Sequence, residues 1–449
     1  MEKTMLIEFT VANYRSFRDP VTLSMEPVAR LRARDEEVNT ANVAATAHGD
    51  VLRVAAVYGA NASGKSNLIR AMGVLRDMVV NSAREGQAGD AVPVEPFRLD
   101  PTSVTEPTEL EVVFLLGTKQ VRYGVAATRE KITREWLHVA EAGGEEQLGF
   151  EREGEGWRYG SAWEADPSLE KKTRTGALHL SVAAAFNHGF ARELLPWFVR
   201  WRPRRAADDA KAMELTKRLL RNVVQRPILL ALVQTMDPSI EDLVVEAEVL
   251  PAELSDAMDA MEPDVGGVAR QVLQLMARRF APIRTIHRAN PDAPPVQFRL
   301  EDESEGTQRV IALAGDLLGA LASGATVVID EFDARLHTLL SLEIVRLFQS
   351  PETNPRNAQL IFATHDTNLL SRALFRRDQL WFVEKNRSTH ATDLYSLAEI
   401  KLDDGKKVRN DASYEHDYLQ GRYGAIPFFG NLQAILGSHL SGKGDDEEG

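Results

Sequence analysis

The sequence predicts an α/β fold: a mixed sheet with helices, an antiparallel β-lobe and a helical insertion. Three observations carry this. Short apolar runs at 52–58, 326–329 and 359–363 read as strands buried on both faces, and the first runs straight into a Gly-rich loop and a helical pattern. Residues 109–160 hold β-rich runs (ELEVVFLL, QVRYGVAAT, EKITREWLHV) split by Gly, Lys and Glu, as in antiparallel strands. From about 186 to 289 the reading turns helical, with ARELLPWFVRW, DAKAMELTKRLLRNVV and VARQVLQLMARRF broken by Pro196, Pro203, Pro227 and Pro238.

Each element follows in order. Leu6, Ile7, Phe9 and Val11, then Val21, Leu23 and Met25, alternate as two strands around the turn-like Asn13-Tyr14-Arg15-Ser16-Phe17. A helix over 67–80 is set by Leu68, Met72, Leu75 and Val79. After the helical stretch the α/β alternation resumes, with helices near 308–322 and 336–348 and further strands at 380–385 and 391–397. The acidic tail from 438 to 449 has the composition of a disordered segment. The expected division is therefore 1–185, with the Gly-rich loop and β-lobe; 186–289, the helical insertion; 290–437, with the remaining α/β strands; and 438–449, the tail.

Composition narrows the chemistry. The 449 residues carry a net charge of −13, which repels nucleic acid and anionic lipid as a whole, so any such contact must be a local patch. There is no cysteine, which excludes disulfides, thiol catalysis and Cys-ligated metals. No signal-peptide pattern and no spanning apolar run is visible, and a cytoplasmic protein without membrane contact is expected.

Gly59-Ala60-Asn61-Ala62-Ser63-Gly64-Lys65-Ser66 fits G-x-x-x-x-G-K-[ST] between a buried strand and a helix. In that setting backbone N–H groups and a helix N-terminus form a phosphate cradle. Lys65 then reaches the β- and γ-phosphates of ATP, and the Ser66 hydroxyl binds Mg²⁺. The strand TVVI ends in Asp330-Glu331, where Asp330 holds Mg²⁺ and Glu331 polarises the attacking water. QLIFAT leads to His365, placed to hydrogen-bond the γ-phosphate or that water. Ser304-Glu305-Gly306-Thr307-Gln308 opens a helix whose N-terminus is an anion site.

The set GANASGKS, SEGTQ, VVIDEFDARLH and ATHD resembles the P-loop NTPase, ABC-type heads of the RecF/SMC/OLD superfamily over roughly 1–185 and 290–435. The Asn13 to Phe17 motif is similar to the N-terminal motif of that group. The resemblance implies a head-to-head ATP sandwich: Ser304 and Gly306 of one copy complete the site formed by Lys65, Ser66, Asp330 and Glu331 of another. It makes His365 the switch histidine and adds Arg15 and Asn67 to the nucleotide contacts. Two departures stand out. The signature is SEGTQ rather than SGGQ, and His337 stands where transporter and SMC heads carry an aspartate. Gln87 is a candidate for the metal-lining glutamine, with an ordinary loop glutamine as the alternative.

LWFVEKN and RYGAIPFFG look like the C-terminal pattern of compact ATPases paired with nucleases in anti-phage systems, of the RloA and PARIS type. That implies a sensor or scaffold switch acting with itself and with a separately encoded nuclease or toxin effector. A RecF-like DNA-repair ATPase is the alternative. No nuclease domain is expected, because 84 residues follow His365 and no Asp-x-Asp follows Val383-Glu384-Lys385. Between Arg192 and Arg226 ten basic residues face four acidic ones, interleaved with Trp197 and Trp201. The Arg200–Arg205 region thus reads as a solvated helix face, a nucleic-acid contact or a protein-partner patch.

Overall fold

The computed structural model describes residues 4–28, 36–85, 87, 89–205, 209–246, 281–401, 408 and 412–427. Two large sheets organise them. Seven antiparallel strands run in the order Gly156–Tyr159, Gln147–Glu153, Ile132–Glu141, Lys119–Ala127, Thr108–Leu116, Leu6–Ala12, Val21–Ser24. The N-terminal pair therefore joins the β-lobe in one sheet, through Leu6–Ala12 against Thr108–Leu116.

The second sheet is ordered Arg202–Arg204, Thr326–Ile329, Gln359–Ala363, Val54–Tyr58, Leu380–Lys385, Thr392–Ser396. All its neighbours are parallel except the last pair. The three apolar runs at its centre are buried at every position, as their lack of alternation requires. Because these three strands point the same way, the segments after Tyr58, Ile329 and Ala363 emerge along one edge.

The helix Lys65–Asn81 lies between the sheets, burying Leu68, Met72, Leu75 and Val79 in the core that also holds Phe9, Phe114, Trp197 and Trp201. Gln359 pins the two sheets together. Its Oε1 accepts from the Leu6 amide (2.6 Å) and the Thr326 hydroxyl (2.9 Å), and its Nε2 donates to the carbonyls of Leu6 (2.9 Å) and Leu52 (3.0 Å). A buried amide with every bond met fixes the register of both sheets at one point.

Three local readings change. The run at 52–58 divides into Gly49–Leu52 and Val54–Tyr58, because Arg53 turns its guanidinium to Asn357 and to the carbonyls of Thr40 and Ala41. The first helix starts at Lys65 rather than at 67, so Lys65 and Ser66 belong to its first turn. The stretch 186–289 has helices at Gly189–Arg200, Asp209–Leu220 and Arg226–Met236, but also strands at Arg202–Arg204, Asp242–Val245 and Ile283–His287. Arg202-Pro203-Arg204 is the edge of the parallel sheet, a place where proline's missing N–H is tolerated. The VARQVLQLMARRF helix, the end of RYGAIPFFG, Asp403-Asp404 and the 438–449 tail lie outside the described residues. Among the described residues no helix is long and apolar enough to cross a membrane.

Candidate active site

The loop from Gly59 to Ser66 needs its glycines at two positions. A Cβ on Gly59 would sit 2.4 Å from the Val383 carbonyl oxygen. Gly64 has φ +127°, and a Cβ there would meet the Thr392 side chain at 2.7 Å. The neighbouring strand braces the loop: Thr392 Oγ1 donates to the Ser63 carbonyl (2.7 Å) and the Thr392 amide to the Ser16 carbonyl (2.7 Å). Asn67 Nδ2 donates to Ser16 Oγ at 2.9 Å. The N-terminal motif is thereby fastened to the phosphate loop and its helix.

Lys65 is 7% exposed, and its Nζ donates to the carbonyls of Gly59 (2.6 Å) and Ala60 (3.1 Å). Burial pushes its ammonium down to about 8, against the pull of Asp330, Asp333 and Glu331. Asp330 is buried at the end of its strand. Its Oδ1 accepts from the Glu331 amide (3.1 Å), and its own amide donates to the Arg204 carbonyl (2.9 Å). Glu331 is exposed with φ +49°, a left-handed backbone that non-glycine residues rarely adopt. The His365 amide donates to Asp333 Oδ1 at 3.2 Å. Partial burial, and then Lys65, hold the His365 imidazole below its ordinary value, with Asp333, Glu331 and Asp330 opposing.

These groups share one cavity of about 600 Å³, lined by residues 60–67, Asp330, Glu331, His365, Ser16, Ala363 and Lys385. Of the residues singled out by sequence, Ala60, Asn61, Ala62, Ser63, Gly64, Lys65, Ser66, Asn67, Asp330, Glu331 and His365 come together there. Gly59 lies behind it, offering its carbonyl to Lys65. Arg15 does not enter the cavity: it pairs with Glu95, and its amide donates to the Glu95 carbonyl at 2.7 Å. Sequence reasoning missed Ser16, Lys385 and Asp333.

Ser304 and Gly306 lie outside the cavity. Ser304 caps the helix Glu305–Ser323, its Oγ accepting from the Thr307 amide at 3.1 Å, and it is exposed. A Cβ on Gly306 would be 3.0 Å from the Arg335 carbonyl oxygen. Gln87 lines a different groove, its amide bonded to Asp90 Oδ2 at 2.6 Å. The tryptophans of the basic stretch are not available for stacking: Trp197 and Trp201 are 4% and 1% exposed. Arg204 makes a fork to buried Asp316 (2.9 and 3.0 Å), and Arg202 Nη1 lies 3.7 Å from the same carboxylate.

No cluster of three or more His, Cys, Asp or Glu suited to a metal occurs among the described residues. The hydroxyl of Ser66 and the carboxylate of Asp330 nevertheless line the same cavity. Magnesium takes one or two such oxygens together with phosphate and water, so this donor set fits it.

The family described as "AAA domain, putative AbiEii toxin, Type IV TA system" matches residues 54–371. The chain belongs to this family. The matched residues hold the phosphate loop, the central strands of the parallel sheet and most of the antiparallel lobe. Comparison with curated protein sequences gives no match. Among solved structures it is similar to the SMC head bound to the C-terminal winged-helix domain of ScpA, at 12% identity and a TM-score of 0.38, covering 87% of this chain and 97% of that one. It is likewise similar to the Thermotoga maritima SMC head (13%, 0.37, covering 87% and 98%) and to the recombination mediator RecF with ATP (12%, 0.34, covering 88% and 100%).

Proposed function

We propose that this chain is a magnesium-dependent ATPase that acts as a conformational switch, two copies closing head to head on bound ATP and separating after hydrolysis. One observation carries the reading. The phosphate loop, the Asp330-Glu331 pair and His365, from three separate strands, face one cavity large enough for a nucleotide, while the capped helix at Ser304 does not line it.

Lys65, spent on two loop carbonyls in the free protein, exchanges them for the charged oxygens of the β- and γ-phosphates. Ser66 and Asp330 hold Mg²⁺, which offsets phosphate charge when bound. Glu331, held by its strained backbone at the cavity mouth, accepts a hydrogen bond from the attacking water. His365 hydrogen-bonds at the γ-phosphate end, and Asp333 fixes its backbone. Ser304 and Gly306 of the second copy bring the N-terminus of their helix to that same phosphate, so losing the phosphate removes the charge that joined the copies.

The switch serves as sensor or scaffold of an anti-phage system with a separately encoded nuclease or toxin. The C-terminal sequence pattern supports this, as does a family description that names a toxin–antitoxin system. A RecF-like DNA contact through Arg200–Arg205 is less favoured, because Trp197 and Trp201 are buried and Arg202 and Arg204 turn to Asp316. The test is ATP turnover by the purified chain. Lys65→Ala is expected to lower it at least a hundredfold with the fold intact by circular dichroism; unchanged turnover would refute the assignment.

A further inference from the structure

A second cavity, of about 590 Å³, lies on the far side of the phosphate-loop helix, between that helix and the edge strand Arg202–Arg204. Five arginines line it, at 70, 76, 202, 204 and 205, against the carboxylates of Asp77 and Glu85. Asp316 takes up part of the charge of Arg202 and Arg204 from behind, and the wall stays net positive. On a chain of net charge −13 this is a strong local reversal.

The buried side-chain polar atoms without a partner among the described residues that line this wall are all donors. Arg70 Nε, Arg76 Nε and Trp201 Nε1 are buried and bond to nothing among the described residues. Trp201 is 1% exposed, so its N–H has no solvent to fall back on. A buried unmet donor is costly, and the donors that a ligand with acceptor oxygens would meet in the cavity are the other guanidinium N–H groups of the five arginines that line it. The Arg202 guanidinium is also held below its ordinary value, by burial first and then by repulsion from Arg204, Arg218 and Arg76, with Asp316 opposing. An anion would relieve that repulsion.

The floor of the cavity is open because of Gly73. This residue sits inside a helix, where glycine costs roughly 0.5–1 kcal/mol relative to alanine. A Cβ there would touch nothing closer than Pro203 Cβ at 3.9 Å. No backbone or packing demand accounts for the glycine, whereas keeping the space clear does.

We propose that this cavity is a second anion site, for a small ligand carrying an oligophosphate group, separate from the nucleotide cavity. Enclosure favours a small molecule over a nucleic-acid strand: Arg202 and Arg204 are 14% and 21% exposed, too recessed for an extended backbone to reach along a surface. Occupancy would be felt at the first site, since the Arg204 carbonyl accepts the Asp330 amide. The inference does not depend on how two copies associate.

The test is calorimetric titration of the full chain with tripolyphosphate, the phosphate loop first saturated with magnesium and a slowly hydrolysed ATP analogue. One further binding event per chain is expected. Arg70→Gln with Arg76→Gln should weaken it at least tenfold, and Gly73→Leu, which fills the floor without altering charge, should abolish it. Both should leave analogue binding essentially unchanged, and neither should lower the melting temperature. Absence of a second event in the unaltered chain would overturn the proposal, as would an event indifferent to both variants. Binding of a short DNA strand at the same residues without tripolyphosphate binding would also overturn it, in favour of a nucleic-acid site.

Discussion

Glu331 and Gly64 show how the cavity is held at the level of single residues. Each adopts a backbone that a β-carbon disfavours, and at Gly64 the Thr392 side chain adds a direct obstacle at 2.7 Å. Gly64→Ala is expected to lower stability by about 1–3 kcal/mol in chemical denaturation and to weaken nucleotide binding at least tenfold. Wild-type affinity in that variant would show that the loop tolerates a different path. Lys65, Ser66 and Asp330 were legible in the sequence because a loop and a strand end carry their geometry locally. Ser16 was not, although Arg15 beside it was singled out. Asn13 and Arg15 both have positive φ (47° and 53°), and that twist sends Arg15 to Glu95 while Ser16 meets Asn67. Lys385 arrives from a strand distant in sequence, which no local pattern announces, and Asp333, two residues after Glu331, is set apart only by its bond to the His365 amide.

At the scale of elements, the edge strand Arg202–Arg204 and the helix Glu305–Ser323 are joined by a buried ion pair. Asp316 has no exposure and answers to both arginines. Asp316→Ala would leave two recessed guanidiniums uncompensated and is expected to cost about 3–5 kcal/mol in denaturant unfolding; a loss below 1 kcal/mol would show that solvent reaches them. This strand escaped sequence reasoning because three residues around a proline carry no periodicity, whereas the four- and five-residue apolar runs of the same sheet were plain.

The β-lobe offers a pH-dependent counterpart in His179, which is enclosed by the rings of Phe150, Trp157 and Trp163. Burial pushes its imidazole down to about 3, Arg152 and His188 add to this, and Asp166 opposes it. The unfolded chain takes up a proton near pH 6.5 that the folded chain refuses until about 3. The stability His179 confers is therefore intact above 6.5 and falls as the pH drops, by about 1.4 kcal/mol per unit. Melting temperatures at pH 7 and pH 5 should differ less in His179→Phe than in the unaltered chain; an equal drop in both would remove His179 as the cause.

For the whole molecule, the order of strands decides what the motifs mean. Sequence reading found the loop, the acidic strand end and His365 as separate marks; the parallel sheet aligns their ends, and the cavity follows. The helix at Ser304 is capped, exposed and outside that cavity, and in the proposed reading another copy would use it. That proposed role rests on resemblance, because a contact between two chains leaves no spacing within one. Sedimentation velocity of the Glu331→Gln chain, with and without magnesium and ATP, tests this directly. The account predicts a single-copy species that shifts to a two-copy species when nucleotide is added, and a Ser304→Arg change that blocks the shift while ATP still binds. A chain that binds ATP with magnesium yet sediments as a single copy at every concentration would contradict it.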